Sequence, residues 1–152
     1  MTIKGLKELQ RKLSRLPAVA KARIRAAMEQ GADEIVTMMR SLVPTDSGDL
    51  RDSIAWTWGR APKGALTLGK VQSVGGDLTI TVYAGNATAF YSRWVEFGTA
   101  AHTAGGKFAG AAIPAIAASP FFFVSYRANR KKVKSRITRA INKAAKEVAA
   151  GS

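Results

Sequence analysis

Leu6, Leu9, Leu13 and Leu16 recur every three or four residues, with Lys7, Arg11, Lys12 and Arg15 between them. That spacing puts one apolar stripe on an amphipathic helix. Pro17 breaks or re-aims it, because an interior proline removes a donor and clashes with the preceding turn. A second helix is predicted over 18–42, with Ile24, Met28, Ile35, Met38, Met39 and Leu42 on its apolar side. Pro44-Thr45-Asp46-Ser47-Gly48 is turn chemistry and closes this helical region.

The period then changes from helical to two. Ile54, Trp56 and Trp58 alternate with Ser53, Ala55 and Thr57, and Leu66 with Leu68 hints at a second strand. Leu78, Ile80, Val82 and Ala84, alternating with Thr79, Thr81 and Tyr83, give the clearest strand. Gly75-Gly76-Asp77 ahead of it suits a hairpin turn, so an antiparallel meander is expected. Phe90, Tyr91, Trp94, Val95 and Phe97 read as a short apolar helix, with Trp94, Val95 and Phe97 as packing residues. Gly98 is placed to end it in a left-handed conformation.

From 98 to 119 the chain is rich in glycine and alanine and lacks periodicity. It reads as a long loop, either mobile or ordered by a partner. Pro120-Phe121-Phe122-Phe123-Val124 reads as a last strand. A final helix is predicted over 127–149, with Val133, Ile137, Ile141, Ala144 and Val148 as its stripe. The expected architecture is α+β: an antiparallel sheet of about four strands, a long N-terminal helical region, a short central helix and a C-terminal helix. One domain covers 1–152, with a helical arm over 1–43, the sheet, central helix and mobile loop over 44–126, and the last helix over 127–149.

Charge separates the ends of the chain from its middle. Of a net +14, residues 1–43 contribute nine Lys/Arg against four Asp/Glu, and residues 121–152 nine against one; residues 44–120 carry six against five. A basic surface attracts nucleic acid, anionic membranes and acidic proteins alike. The chain has no cysteine, which excludes disulfides, thiolate catalysis and zinc–cysteine sites. No apolar run reaches the ~20 residues that span a bilayer, and the first residues lack the apolar core of a secretory signal, so a soluble protein made in the cytoplasm is expected.

Candidate chemistry is sparse. His102 is the only histidine and has no serine or carboxylate partner at catalytic spacing, so it reads as a solvated loop residue. Asp46, Asp49 and Asp52 lack the further oxygen ligands and distal glutamate of a calcium loop, and read as turn and capping residues. Residues 101–108, ending Gly105-Gly106-Lys107-Phe108, miss the first glycine and the final Ser/Thr of a phosphate loop. Glu96, the only acidic residue between Asp77 and Glu147, has two readings. It is bound locally, by Arg93 three residues away or by loop backbone amides, or it makes a contact across a subunit boundary.

Three segments together resemble the tail-component family of lambdoid and related long-tailed bacteriophages. They are Pro44-Thr45-Asp46-Ser47-Gly48-Asp49-Leu50-Arg51-Asp52-Ser53-Ile54, then Tyr91-Ser92-Arg93-Trp94-Val95-Glu96-Phe97-Gly98-Thr99, then Ser119-Pro120-Phe121-Phe122. Gly5-Leu6-Lys7-Glu8-Leu9 is also similar to the family's start. The residues carrying the likeness, and so the assembly candidates, are Pro44, Asp46, Gly48, Leu50, Tyr91, Trp94, Glu96, Gly98, Pro120 and Phe121.

The resemblance implies a structural virion protein at the head–tail joint, in the neck or in tail completion. It implies a homo-oligomeric ring, six-fold in such relatives, contacting connector and tail proteins and possible DNA in the channel. It implies neither catalytic residues nor a cofactor, and it places the protein in the virion and, during assembly, in the host cytoplasm. The alternative is a basic nucleic-acid-binding module, supported by charge but not by the aromatic residues, which follow strand and core patterns.

Overall fold

The computed structural model describes residues 18–45, 48–67 and 78–150. The predicted first helix with Pro17, the turn residues Asp46 and Ser47, Leu68, and Gly75-Gly76-Asp77 lie outside the described residues, as does the side chain of Val148. Two long helices dominate: α1 (Ala18–Leu42) and, at the other end of the chain, α4 (Phe122–Ala150). Between them come α2 (Asp49–Ser53), β1 (Ala55–Trp58), β2 (Leu66–Thr67), β3 (Ile80–Ala84) and α3 (Ser92–Phe97). A hairpin of β4 (His102–Thr103) and β5 (Ala112–Ile113) precedes α4. The α+β class is as the sequence patterning predicts.

α1 is the central element, meeting α4 along one side and β1 and β3 along another. Its stripe of Ala32, Ile35, Val36 and Met39 packs with Leu50, Ile54, Leu66, Val82, Ala84, Phe121 and Phe122 in one core. Burying such side chains contributes about 1.5–3 kcal/mol each. The indole N–H groups of Trp56 and Trp58 donate to Asp33 at 2.6 Å and Glu29 at 3.0 Å, which fastens β1 to α1. α4 runs antiparallel to α1: Asn129 reaches Met38, Arg136 bonds Glu34 at 2.8 Å, and Arg23 pairs with Glu147. Gly31 allows the close approach, since a Cβ there would lie 2.6 Å from Val133 Cγ1.

Four expectations are corrected. The sheet is not a meander: its order is β1-β3-β2, so β3 is central and pairs antiparallel with both neighbours. The alternation in β3 is strong because that strand alone has a partner on each side. Among the described residues the sheet accordingly has three strands, and the other two form a separate hairpin. Phe122-Phe123-Val124 is the first turn of α4 rather than a strand, for a reason given below. Finally, the segment expected as a loop carries backbone pairing throughout: Thr99 with Ile116, His102 with Ile113, Thr103 with Ala112. A single turn of 3-10 helix (Gly106–Phe108) forms its tip.

Candidate functional site

Four of the likeness-bearing residues, Glu96, Gly98, Pro120 and Phe121, meet at the junction between α3, the hairpin and α4. Glu96 on α3 is 4% exposed. Its Oε2 accepts the backbone N–H groups of Phe121 at 2.8 Å and Phe122 at 2.9 Å, and its Oε1 accepts that of Phe123 at 3.1 Å. The first N–H groups of a helix have no partner within it, and their dipoles favour negative charge. One carboxylate from 25 residues earlier therefore satisfies three amides at the start of α4. That is why three consecutive phenylalanines, good strand formers by propensity, begin a helix here. Of the readings left open for Glu96, the structure shows the backbone-amide one; Arg93 is not the partner it uses.

Gly98 completes the junction. Its N–H donates to Trp94 O at 2.8 Å, with φ 72° and ψ 176°. The positive φ is as expected, but ψ is extended rather than left-handed helical, a region open essentially to glycine alone. A Cβ at this point would also lie 2.6 Å from Ile116 O and 2.9 Å from Ala118 N. The hairpin thus leaves α3 through a gap only glycine fits. It returns with Ser119 donating to Val95 O at 2.8 Å, followed by Pro120 and the fully buried Phe121.

The other likeness residues divide between core and surface. Leu50 is buried in the main core and Tyr91 packs against it. Gly48, at φ 84°, precedes α2, and its carbonyl accepts from Asp52 N–H at 2.9 Å. Pro44 and Pro120 are exposed, and Asp46 lies outside the described residues. Trp94 corrects the packing expectation: it is 48% exposed, and Phe97 62%. α3 is amphipathic in an unusual sense, with Glu96 and Ser92 inside and large rings outside.

Those rings form a surface. Phe90, 56% exposed, meets Trp94 edge-on at 5.6 Å between centroids. Phe97 sits 5.8 Å from Phe123. A cavity of about 230 Å³ is lined by Asp49, Asp52 and Ser53 on one side and by Asn86, Thr88 and Ala89, the residues before Phe90, on the other. Sequence periodicity could not find this surface, because rings on a short helix read equally as core or as contact. The hairpin tip carries Lys107 and Phe108, the latter 75% exposed.

Among the described residues, no group of three or more His, Cys, Asp or Glu is placed to hold a metal, and no helix is long and apolar enough to cross a membrane. His102 is exposed on β4, its Nδ1 3.1 Å from Ala100 O. Glu34, between Arg136 and Lys132, has its carboxyl held below the ordinary range: hydrogen bonding from Arg136 is the main cause, opposed by partial desolvation and reinforced by Lys132.

A buried glutamate committed to a helix terminus, a glycine gate and an outward-facing aromatic helix describe a scaffold that presents surfaces. The family model described as "Bacteriophage HK97-gp10, putative tail-component" matches residues 7–98, more than half of the chain. The protein belongs to this family of phage tail components, and so to the structural proteins of the virion. No curated protein and no solved structure matches the chain.

Proposed function

We propose that the protein is a ring-forming subunit of the head–tail joint, acting in the neck or in tail completion between portal connector and tail. The observation that carries this reading is the exposed aromatic face of α3 together with the protruding hairpin. Large apolar groups clustered on a surface mark a contact with another protein. The face adjoins Glu96 and Gly98, within the part of the chain that carries the family likeness. The ring would form in the host cytoplasm and remain in the virion, as a structural component without a reaction of its own.

The test is electron microscopy of lysates from a phage lacking this gene. Filled heads and complete tails that fail to join are the expected result. Normal joined particles, or tails of altered length with intact necks, overturn the assignment.

A second reading has one observation in its favour. α4 carries nine Lys/Arg and one acidic residue, Glu147, and presents most of them to solvent. It could lie against DNA in the channel of such a ring, or serve a basic nucleic-acid-binding module. Affinity for duplex DNA that falls steeply with salt supports contact with phosphates; a flat salt dependence removes it.

A further inference from the structure

The hairpin over 99–118 holds two things apart. At its root lie the α3 rings, preceded in the chain by the cavity-lining Asn86, Thr88 and Ala89, and at its tip lie Lys107 and Phe108. The paired strands carry the tip away from the Thr99–Ile116 bridge by up to roughly 20 Å, at about 3.3 Å per residue. Among the described residues Lys107 makes no ion pair and Phe108 no ring contact. A two-stranded hairpin is marginal on its own in water and gains from being packed.

The chemistry at the two places is complementary. The tip offers one ammonium beside one phenyl ring. The receptor face offers the Asp52 carboxylate at the cavity mouth and, next in the chain to the cavity-lining Ala89, Phe90 with its edge-on partner Trp94. Lys107 is also the only Lys, Arg, Asp or Glu over 98–119, on a chain whose ends carry most of a +14 charge. Copies of so basic a protein repel one another through their ends, so the nearly neutral middle is where they can approach.

We infer that the arm tip of one copy docks on the next copy, with Lys107 against Asp52 at the cavity and Phe108 on the Phe90–Trp94 rings. The partner is a second copy of this chain. Tip and receptor are different surfaces, so the contact is heterologous, the kind that closes rings when the rotation allows. This docking rests on the ring reading above and supplies its subunit contact.

Particles carrying Ala87→Cys and Ala109→Cys together, exposed positions beside the two contact sites, treated with a short bismaleimide, test the contact; the natural chain has no cysteine, so any crosslink between copies runs through the introduced thiols. A ladder of covalent oligomers is expected from the double variant and none from either single one. Lys107→Glu and Asp52→Lys, introduced separately, should each lower the ladder yield by at least about tenfold, and their combination should restore it to within about threefold. Thermal melts confirm that each variant is folded.

A double-cysteine chain that stays monomeric while microscopy shows rings overturns the docking and leaves the ring reading standing. So does a crosslink between copies from Ala109→Cys alone, or an unchanged yield with Lys107→Glu, or a charge exchange that fails to recover. A ladder in particles without closed rings at the neck supports the docking and sinks the ring reading. Neither ladder nor ring removes both.

Discussion

At the sheet end of the α1–α4 pair, Ile35, Val36 and Met39 meet Phe121, Phe122 and the inner face of the sheet. At the far end, among the described residues, Ala20, Ile24 and Ala144 form a smaller cluster with Met28 and Ile141 at its edge. The near end is a three-sided core closed by Glu96; the far end, among the described residues, is a contact between the two helices bordered by the Arg23–Glu147 ion pair. Exposed pairs of that kind contribute little. Helical periodicity is the same along both stretches, so the sequence shows two equal stripes where the structure has one strong anchor and one light one.

The sharpest way to break the comparison is Phe122→Ala, which removes a fully buried ring and should cost about 3–5 kcal/mol in urea unfolding. A loss below about 1 kcal/mol would mean that the near end is not the anchor. Glu96→Gln comes next. It keeps the shape but removes the charge facing three amides and should cost about 2 kcal/mol by the same measurement. Helicity measured by circular dichroism should fall with it, since the start of α4 frays.

Ile24→Val probes the far end and should cost about 1 kcal/mol, the transfer term of one methylene with a small cavity. A cost of several kcal/mol there would make the two ends equals. Trp94→Ala lies at the near end but on its outer side, and should change stability by less than about 1 kcal/mol while reducing particle yield. Titration of Glu34 is the smallest effect. Its folded-state pKa is depressed, so its contribution is present above the ordinary carboxylate range and is lost as pH falls through the folded value. A shallow decline in melting temperature on acidification, absent in Glu34→Gln, is the expected signature.

What the sequence made legible follows from how local each cause is. α1 was predicted over its full span because its stripe, and the turn chemistry at Pro44, are contained within it. The existence of β1, β2 and β3 was legible from alternation; their order was not, because pairing of β1 with β3 is decided by α1 packing beneath both. The start of α4 was misread as a strand for a similar reason. Its capping group lies on another helix, and no window around Phe121 contains it. Glu96 stood out as an isolated acid in an apolar setting, a sign that did not reveal the three amides it accepts from. The outward face of α3 had no legible sign at all, since Trp94 and Phe97 have the composition of a core.

The hairpin's two roots are fastened within a few residues of each other, by Gly98 to Trp94, Ser119 to Val95, and Glu96 to the amides beyond Pro120. Whatever lies between those fastenings can lengthen, shorten or change composition without altering the register of anything behind it, and doubling such a segment adds only about 0.6 kcal/mol of closure entropy. The body and the arm are therefore free to diversify at different rates. A lineage of such proteins can vary the tip of the arm, one residue at a time, while inheriting the scaffold unchanged.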